Sequence, residues 1–230
     1  MLIFDKAVFT NDEFALAADL AVADQKVTAV IGPSGAGKST LLHGIAGFAQ
    51  QSAGRTLFAG QDISALAPDQ RPVSMLFQDN NLFPHLTVLQ NVALARTQRL
   101  RPARAVVDAV EAMLAQVGLQ AMSGRKPAEL SGGQQSRVAL ARALLQDRPI
   151  LLLDEPFSAL GPALKQEMLD LSVALAAQRT VIMVTHDPAD AKRIADEVIG
   201  VSGGQAFAPL PTEAFMEDPP TALSDYFARG

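Results

Sequence analysis

The segment Gly32-Pro33-Ser34-Gly35-Ala36-Gly37-Lys38-Ser39-Thr40 has the make-up of a phosphate cradle. Glycines let successive backbone N–H groups curl onto phosphate oxygens, and the start of a following helix adds positive potential. Lys38 is long enough to reach β- and γ-phosphates, and the Ser39 hydroxyl suits Mg²⁺. A glycine turn with an incidental lysine is the bland alternative. The apolar run Lys26–Ile31 before the segment and the helix-like Ser39–Gly47 after it favour the cradle, so Gly32 through Thr40 are assigned to nucleotide binding.

A second anion-binding terminus stands at Leu130-Ser131-Gly132-Gly133-Gln134, ahead of a helix expected to reach about Gln146. An ordinary serine cap would give part of this string. A chain holding one nucleotide has no evident use for two such tips. Two copies paired head to tail do, because Ser131, Gly132, Gly133 and Gln134 of each can cap the γ-phosphate cradled by the other. Asp154 closes the buried run Ile150–Leu153, a costly place for a carboxylate unless a cation meets it, and Mg²⁺ held through water fits. Glu155, next to it, can take a proton from attacking water. His186 follows the run Thr180–Val184 and can point into the crevice at the strand ends, onto a γ-phosphate. The Gln78 amide can touch Mg²⁺ and water. His43 and His85 read as structural or interface residues.

The elements that must position these groups can be read from periodicity. Alternation at Phe14, Leu16, Ala18, Leu20 and Val22 predicts a strand with one buried face. With Leu2–Phe9 and Arg55–Ala59 it predicts an antiparallel sheet near the N-terminus. Lys26–Ile31, Ile150–Leu153 and Thr180–Val184 are short apolar runs suited to strands buried on both faces, each followed by helix-like sequence. From about residue 87 to 130 the chain is Ala/Leu-rich. Val106, Val110, Met113, Leu114 and Val117 keep a helical period there, and Gly118 ends it. The expected fold is α/β: a P-loop core with a mainly parallel sheet, an N-terminal antiparallel β subdomain, and an inserted helical subdomain. Residues 1–86 and 131–230 form the core, with 87–130 the helical insert. Gly203-Gly204 predicts a hairpin turn, and Pro209, Pro211, Pro219 and Pro220 punctuate short helices.

Composition narrows the class. The 230 residues are 49% hydrophobic, enough for a sizeable core. A net charge of −5 argues against a nucleic-acid partner held by bulk electrostatics. There is no cysteine, which fits a reducing compartment. No apolar run approaches the roughly 18 residues of a membrane span, and the N-terminus lacks a signal-peptide pattern. Arg96, Arg99, Arg101 and Arg104 form a basic run that reads as a solvated helix face, with permease or lipid headgroups as the other reading.

These motifs, in this order, resemble the ATP-binding cassette (ABC) family across about residues 1–205. Gln78, after the stretch Pro72–Phe77, lies at the family's Q-loop position. Ile150–Glu155 is similar to the Walker B strand with its catalytic acid, Leu130–Gln134 to the signature, and His186 to the switch histidine. The resemblance implies catalytic roles for Glu155, His186 and Gln78, metal contacts from Ser39, Gln78 and Asp154, ATP with Mg²⁺, and a dimer of ATPase subunits. Two departures stand out. Ser158-Ala-Leu-Gly161 resembles the D-loop, yet ends in glycine where the family has aspartate, so one intersubunit contact is missing. The adenine-stacking aromatic falls near Asn11, which cannot stack, leaving Phe9 or Phe14.

The segment Gln70–Asn91, with Pro149–Leu160 and Gln166–Leu169, is most similar to the ATPase subunit of bacterial thiamine importers. That likeness implies transmembrane permease subunits, an extracytoplasmic solute-binding protein, thiamine as cargo, and a peripheral place on the cytoplasmic face of the inner membrane. An importer of another solute, such as iron or a polyamine, is the first alternative. A non-transport ABC ATPase on DNA or ribosomes is a second, and a regulatory subunit with decayed hydrolysis a third.

Overall fold

A computed structural model describes residues 1–11 and 14–227. Strands β1 (Leu2–Asn11) and β2 (Phe14–Val22) pair antiparallel, and β4 (Gln50–Phe58) pairs with the other edge of β1. In β1 the buried residues are Leu2 and Phe4, then Ala7 and Phe9. The phase change occurs at a bulge where Lys6 takes φ 48°, and it keeps both aromatic rings facing inward. β4 begins five residues before the expected Arg55 because its first half is exposed and polar, held by pairing with β1 rather than by alternation. β5 (Gln61–Asp62) closes this edge.

The parallel half comprises β3 (Val27–Ile31), β6 (Val73–Leu76), β7 (Ile150–Asp154), β8 (Thr180–Val184) and β9 (Glu197–Ser202). Across the whole sheet the order is β5-β4-β1-β2-β10-β9-β3-β8-β7-β6, where β10 is Gln205–Ala206; β11 (Leu210–Pro211) pairs with β9. β10 joins the two halves, parallel to β2 and antiparallel to β9. The expected turn lies between β9 and β10, with Gly203 and Gly204 at φ 57° and 75°. Strands β3 and β8 are buried along their whole length, as their mainly apolar runs require, with Thr28 and Thr180 the buried polar exceptions.

Helices cover both faces. α1 (Lys38–Ala46) packs with the apolar face of β1 and β2, around Phe9, Leu41, Leu42 and Ile45. On the opposite face, α4 (Gly132–Leu145) and α5 (Pro162–Leu175) bury Leu140, Leu144, Met168 and Leu169 against Leu151, Leu153 and Met183. A separate cluster joins α2 (Val88–Ala93) and α3 (Arg104–Gln116) to the outer side of α4, through Val92, Val110, Leu114, Val138 and Ala141. Gly118 takes φ 72° just past the end of α3. The prolines of the last segment precede short elements: α7 (Thr212–Glu217) after Pro211, a 3₁₀ turn after Pro220, then α8 (Ser224–Phe227). α6 (Pro188–Ile194) links β8 to β9, and a fourth cluster packs Phe215 and Leu223 with Val198 and Ala191.

One buried cation braces α1 from behind. Arg71, 3% exposed, donates from Nη1 to the carbonyls of Gly44 (2.8 Å) and Ile45 (3.0 Å). Its Nη2 donates to Ser64 O at 2.8 Å and its Nε to Leu66 O at 3.0 Å. Gly44 and Ile45 lie in the last turn of α1, where the helix dipole favours a positive charge, and the backbone adds only one further bond there, from Gly47 N to Gly44 O at 3.3 Å.

Candidate nucleotide site

The site assembles at the C-terminal ends of β3, β7 and β8. After β3 the chain enters Gly32–Gly37, with Gly35 at φ 76° and Gly37 at φ 107°. A side chain at Gly32 would place its Cβ 2.0 Å from Val201 O, so only glycine lets the loop pass so close to β9. Lys38 Nζ donates to Gly32 O (2.8 Å) and Pro33 O (3.0 Å), folding the ammonium back over its own loop. Burial pulls Lys38 below the ordinary lysine range, against the opposing influence of Glu155 and Asp154.

Ser39 Oγ donates to Asp154 Oδ1 at 3.2 Å. Burial raises the Asp154 carboxyl above its usual range despite that bond, so the residue wants more positive charge than the chain supplies. A hydroxyl beside a desolvated carboxylate, with no further acid needed, is a donor set suited to Mg²⁺ completed by water and phosphate oxygens. Among the described residues no cluster of three or more His, Cys, Asp or Glu forms an all-protein cage.

Glu155 sits just past the end of β7 at φ 43°, a left-handed conformation unusual for glutamate. Its N–H bonds Val184 O at 3.2 Å, fastening the exit of β7 to β8. From the end of β8, His186 Nδ1 reaches Glu155 Oε2 at 3.1 Å. The His186 carbonyl accepts the Tyr226 hydroxyl at 2.8 Å. Lys38, Ser39, Asp154, Glu155 and His186, spread over the sequence, thus share one crevice.

Two expected groups stand outside that hydrogen-bonded set. Gln78 is exposed beyond β6, whose Leu76 pairs with Leu153, so it leaves the sheet beside the Asp154–Glu155 exit. Ser131 caps α4 in a reciprocal box: its Oγ accepts from Gln134 N (3.3 Å), and its N–H donates to Gln134 Oε1 (3.0 Å). Ser131 and Gly132 face solvent, whereas Gly133 is buried against Leu164 of α5. Among the described residues, no hydrogen bond links Ser131–Gln134 to the phosphate loop of the same chain.

The geometry adds one residue the sequence reading set aside. His43 Nε2 lies 3.8 Å from Asp154 Oδ2, and the ring meets Phe48 edge-on at 6.1 Å. His43 follows Ser39 by four on α1, the spacing that stacks two side chains on one face; that was the available signal. Of the two aromatics considered for adenine, Phe9 is fully buried against Gly44 and Phe4 and cannot meet a ligand. Phe14 is half-buried beside Gly37.

A glycine loop between strand and helix, with a carboxylate at the end of a parallel strand one place further along the sheet, is the architecture of a P-loop nucleoside-triphosphatase. A family model described as ABC transporter matches residues 17–158. The chain belongs to the ABC transporter family, and it is an ABC-type ATPase. It is 54% identical to the thiamine import ATP-binding protein ThiQ of Ruegeria sp. (strain TM1040), over 98% of this chain and 99% of that protein. It is 53% identical to the protein of the same name from Cereibacter sphaeroides, with the same two shares covered. Among solved structures it resembles the ADP conformation of an ATP-binding cassette of an ABC transporter, with TM-score 0.87, 26% identity and 98% of both chains covered. It also resembles a dimeric post-hydrolysis cassette bound to ADP and Pi, with TM-score 0.77, 27% identity, and 92% of this chain and 99% of that one covered.

Proposed function

We propose that two copies of this chain close head to tail around two MgATP molecules, and that the closure drives thiamine import through a separate permease at the cytoplasmic face of the inner membrane. The observation that carries the paired reading is the pair of separate phosphate-binding tips. The Lys38 cradle opens at the strand ends, while Ser131 and Gly132 stand exposed at the start of α4 with no bond to it. Each copy then cradles one triphosphate and caps the other. The dimeric cassette bound to ADP and Pi supports this arrangement.

Within each site, Gly32–Thr40 hold the phosphates, Ser39, Asp154 and Gln78 hold Mg²⁺, and Phe14 covers adenine. The metal, when bound, neutralises charge on the β- and γ-phosphates. Glu155 accepts the proton of a water whose oxygen attacks the γ-phosphorus, as the bond to the β–γ bridging oxygen breaks and ADP leaves. The His186 imidazole, held on Glu155 Oε2, orients the γ-phosphate and the water. Taking a dimer from mostly open to mostly closed needs about 5.5 kcal/mol of differential affinity, within reach of charge-assisted bonds to two γ-phosphates.

The permease docks at a groove of about 520 Å³ on the outer side of the sheet, lined by Phe77, Leu82, Phe83 and Arg142. Phe83 is exposed there, one turn from the Asn80–Asn81 carbonyls that anchor Arg142. The 54% identity to a thiamine import subunit over nearly the whole chain supports thiamine as cargo. Reconstitution with the native permease in liposomes tests the reading: thiamine-loaded binding protein raises ATP turnover several-fold, and empty binding protein does not. Stimulation by an iron- or polyamine-loaded binding protein instead would overturn the cargo, and stimulation by DNA or ribosomes alone would overturn transport.

A further inference from the structure

We infer that Lys165 is a positioning residue for hydrolysis, tying the first turn of α5 to the loop that carries His186. This rests on the roles proposed above for Glu155 and His186. Lys165 Nζ lies 2.9 Å from Asp187 Oδ2 and 2.7 Å from Asp190 Oδ2, and its side chain is 17% exposed. Thr185 Oγ1 donates to Asp190 Oδ2 at 2.6 Å and accepts from Asp187 N at 3.0 Å. The residues on both sides of His186 are therefore locked to one ammonium. The ring closes through the site itself: His186 to Glu155 at 3.1 Å, then the loop 155–161, then Lys165 N to Gly161 O at 2.9 Å.

Two further observations separate this cluster from an ordinary structural ion pair. The space between Glu155, Lys165, Thr185 and His186 is about 10 Å³, room for one water at most, so little solvent can stand between the ammonium and the His186 loop. The neighbour of Lys165, Leu164, fills the position a side chain at Gly133 would occupy, 2.6 Å from that Cβ. One turn of α5 thus touches the signature tip through Leu164 and the His186 loop through Lys165. A shift of the Ser131–Gly133 tip on meeting the opposite nucleotide is passed to the histidine of the same chain. Near-rigid transmission of this kind matters because a misplacement of about 1 Å in a catalytic group can cost 10²-fold in rate.

The test compares Lys165→Met, which keeps stem length and removes three donors, with Lys165→Arg. Expected for Lys165→Met is a kcat roughly tenfold to hundredfold lower with KM for ATP unchanged, and Lys165→Arg recovers most of the loss. The chain has three histidines, so ring NMR signals are resolvable: the His186 ring moves, and those of His43 and His85 stay. A wild-type kcat in Lys165→Met overturns the inference, as does a loss in which KM rises and all three rings shift together. If Lys165→Met does not fold, Asp190→Asn keeps one bond of the pair and is expected to lower kcat with the same His186 signature; wild-type kcat and rings there refute it. Glu155→Gln and His186→Ala run alongside. If both turn over normally, the site reading fails; if both are inactive while Lys165→Met is normal, only the present inference fails.

Discussion

Replacing Arg71 by methionine is expected to destabilise the fold by about 3–5 kcal/mol, the range for stripping one partner from a buried charged network. Among the described residues the guanidinium makes four hydrogen bonds, all to backbone carbonyls, with no acid among its partners. A bond to a charged group contributes about 1.5–3 kcal/mol, so four gross to roughly 6–12. Desolvation takes part of this back, and the same burial pulls Arg71 below the ordinary arginine range. Methionine fills the stem's volume but takes the charged donor from both the Gly44 and Ile45 carbonyls at the buried end of α1, leaving Gly44 O only its bond from Gly47 N at 3.3 Å. Urea unfolding followed by circular dichroism measures the loss, with m unchanged. In a chain of this size each kcal/mol moves Tm by about 2–4 °C, so a fall of roughly 10 °C is expected. A lysine ammonium cannot span the same fork of carbonyls, so Arg71→Lys is expected to lose about half as much. A change below about 1 kcal/mol in Arg71→Met would refute the reasoning, showing that desolvation cancels all four bonds.

Glu155→Gln is expected to cut phosphate release about 10²–10⁴-fold and to accumulate an ATP-bound dimer on size exclusion; turnover within twofold of wild type removes the residue from its role. Ser131→Arg is expected to abolish that dimer while leaving nucleotide binding by single chains, measured with a fluorescent ATP analogue, unchanged; a dimer that persists argues against the shared-phosphate geometry. The pH dependence of Tm carries two limbs. Asp187 is held below the usual carboxylate range by its bond from Lys165, so its contribution is complete above the unfolded value near about 3.9 and is lost as pH falls through the lower folded value. For Lys165, burial opposes the charge but the bonds to Asp190 and Asp187 outweigh it and raise the group, so its contribution is full below about 10.4 and fades as pH rises through the folded value. Calorimetry across pH is expected to show both limbs flattened in Lys165→Met, and an unaltered profile would exclude the pairing.

Much of the sheet is legible because its strands obey simple patterns. After Thr180 the stretch to Val184 is wholly apolar, and both of its faces are covered. Phe14–Val22 alternates, and one face meets α1. β9 escapes such reading: Gly200 breaks its apolar run, and the gap admits Leu223 and Phe215 from the C-terminal segment, a contact no local pattern announces. The first half of β4 escapes for the opposite reason, being polar and held only by its neighbour. The phosphate loop and the acids at the end of β7 stand in sequence-adjacent strings whose spacing is their chemistry. His43 and Lys165 act through side chains meeting groups far away in the chain, Asp154 for one and Asp187 with Asp190 for the other. In sequence, a lysine on an Ala/Leu-rich helix looks like a solvated face. Only the packing of α5 on α6 buries it.

The bond from the Tyr226 hydroxyl to the His186 carbonyl gives the molecule a built-in optical reporter. The chain has one tyrosine and no tryptophan, so its entire phenolic emission arises from a ring a single hydrogen bond away from the proposed reaction centre. Were nucleotide to loosen or tighten that bond, the change would register in this one ring's emission, with no label attached.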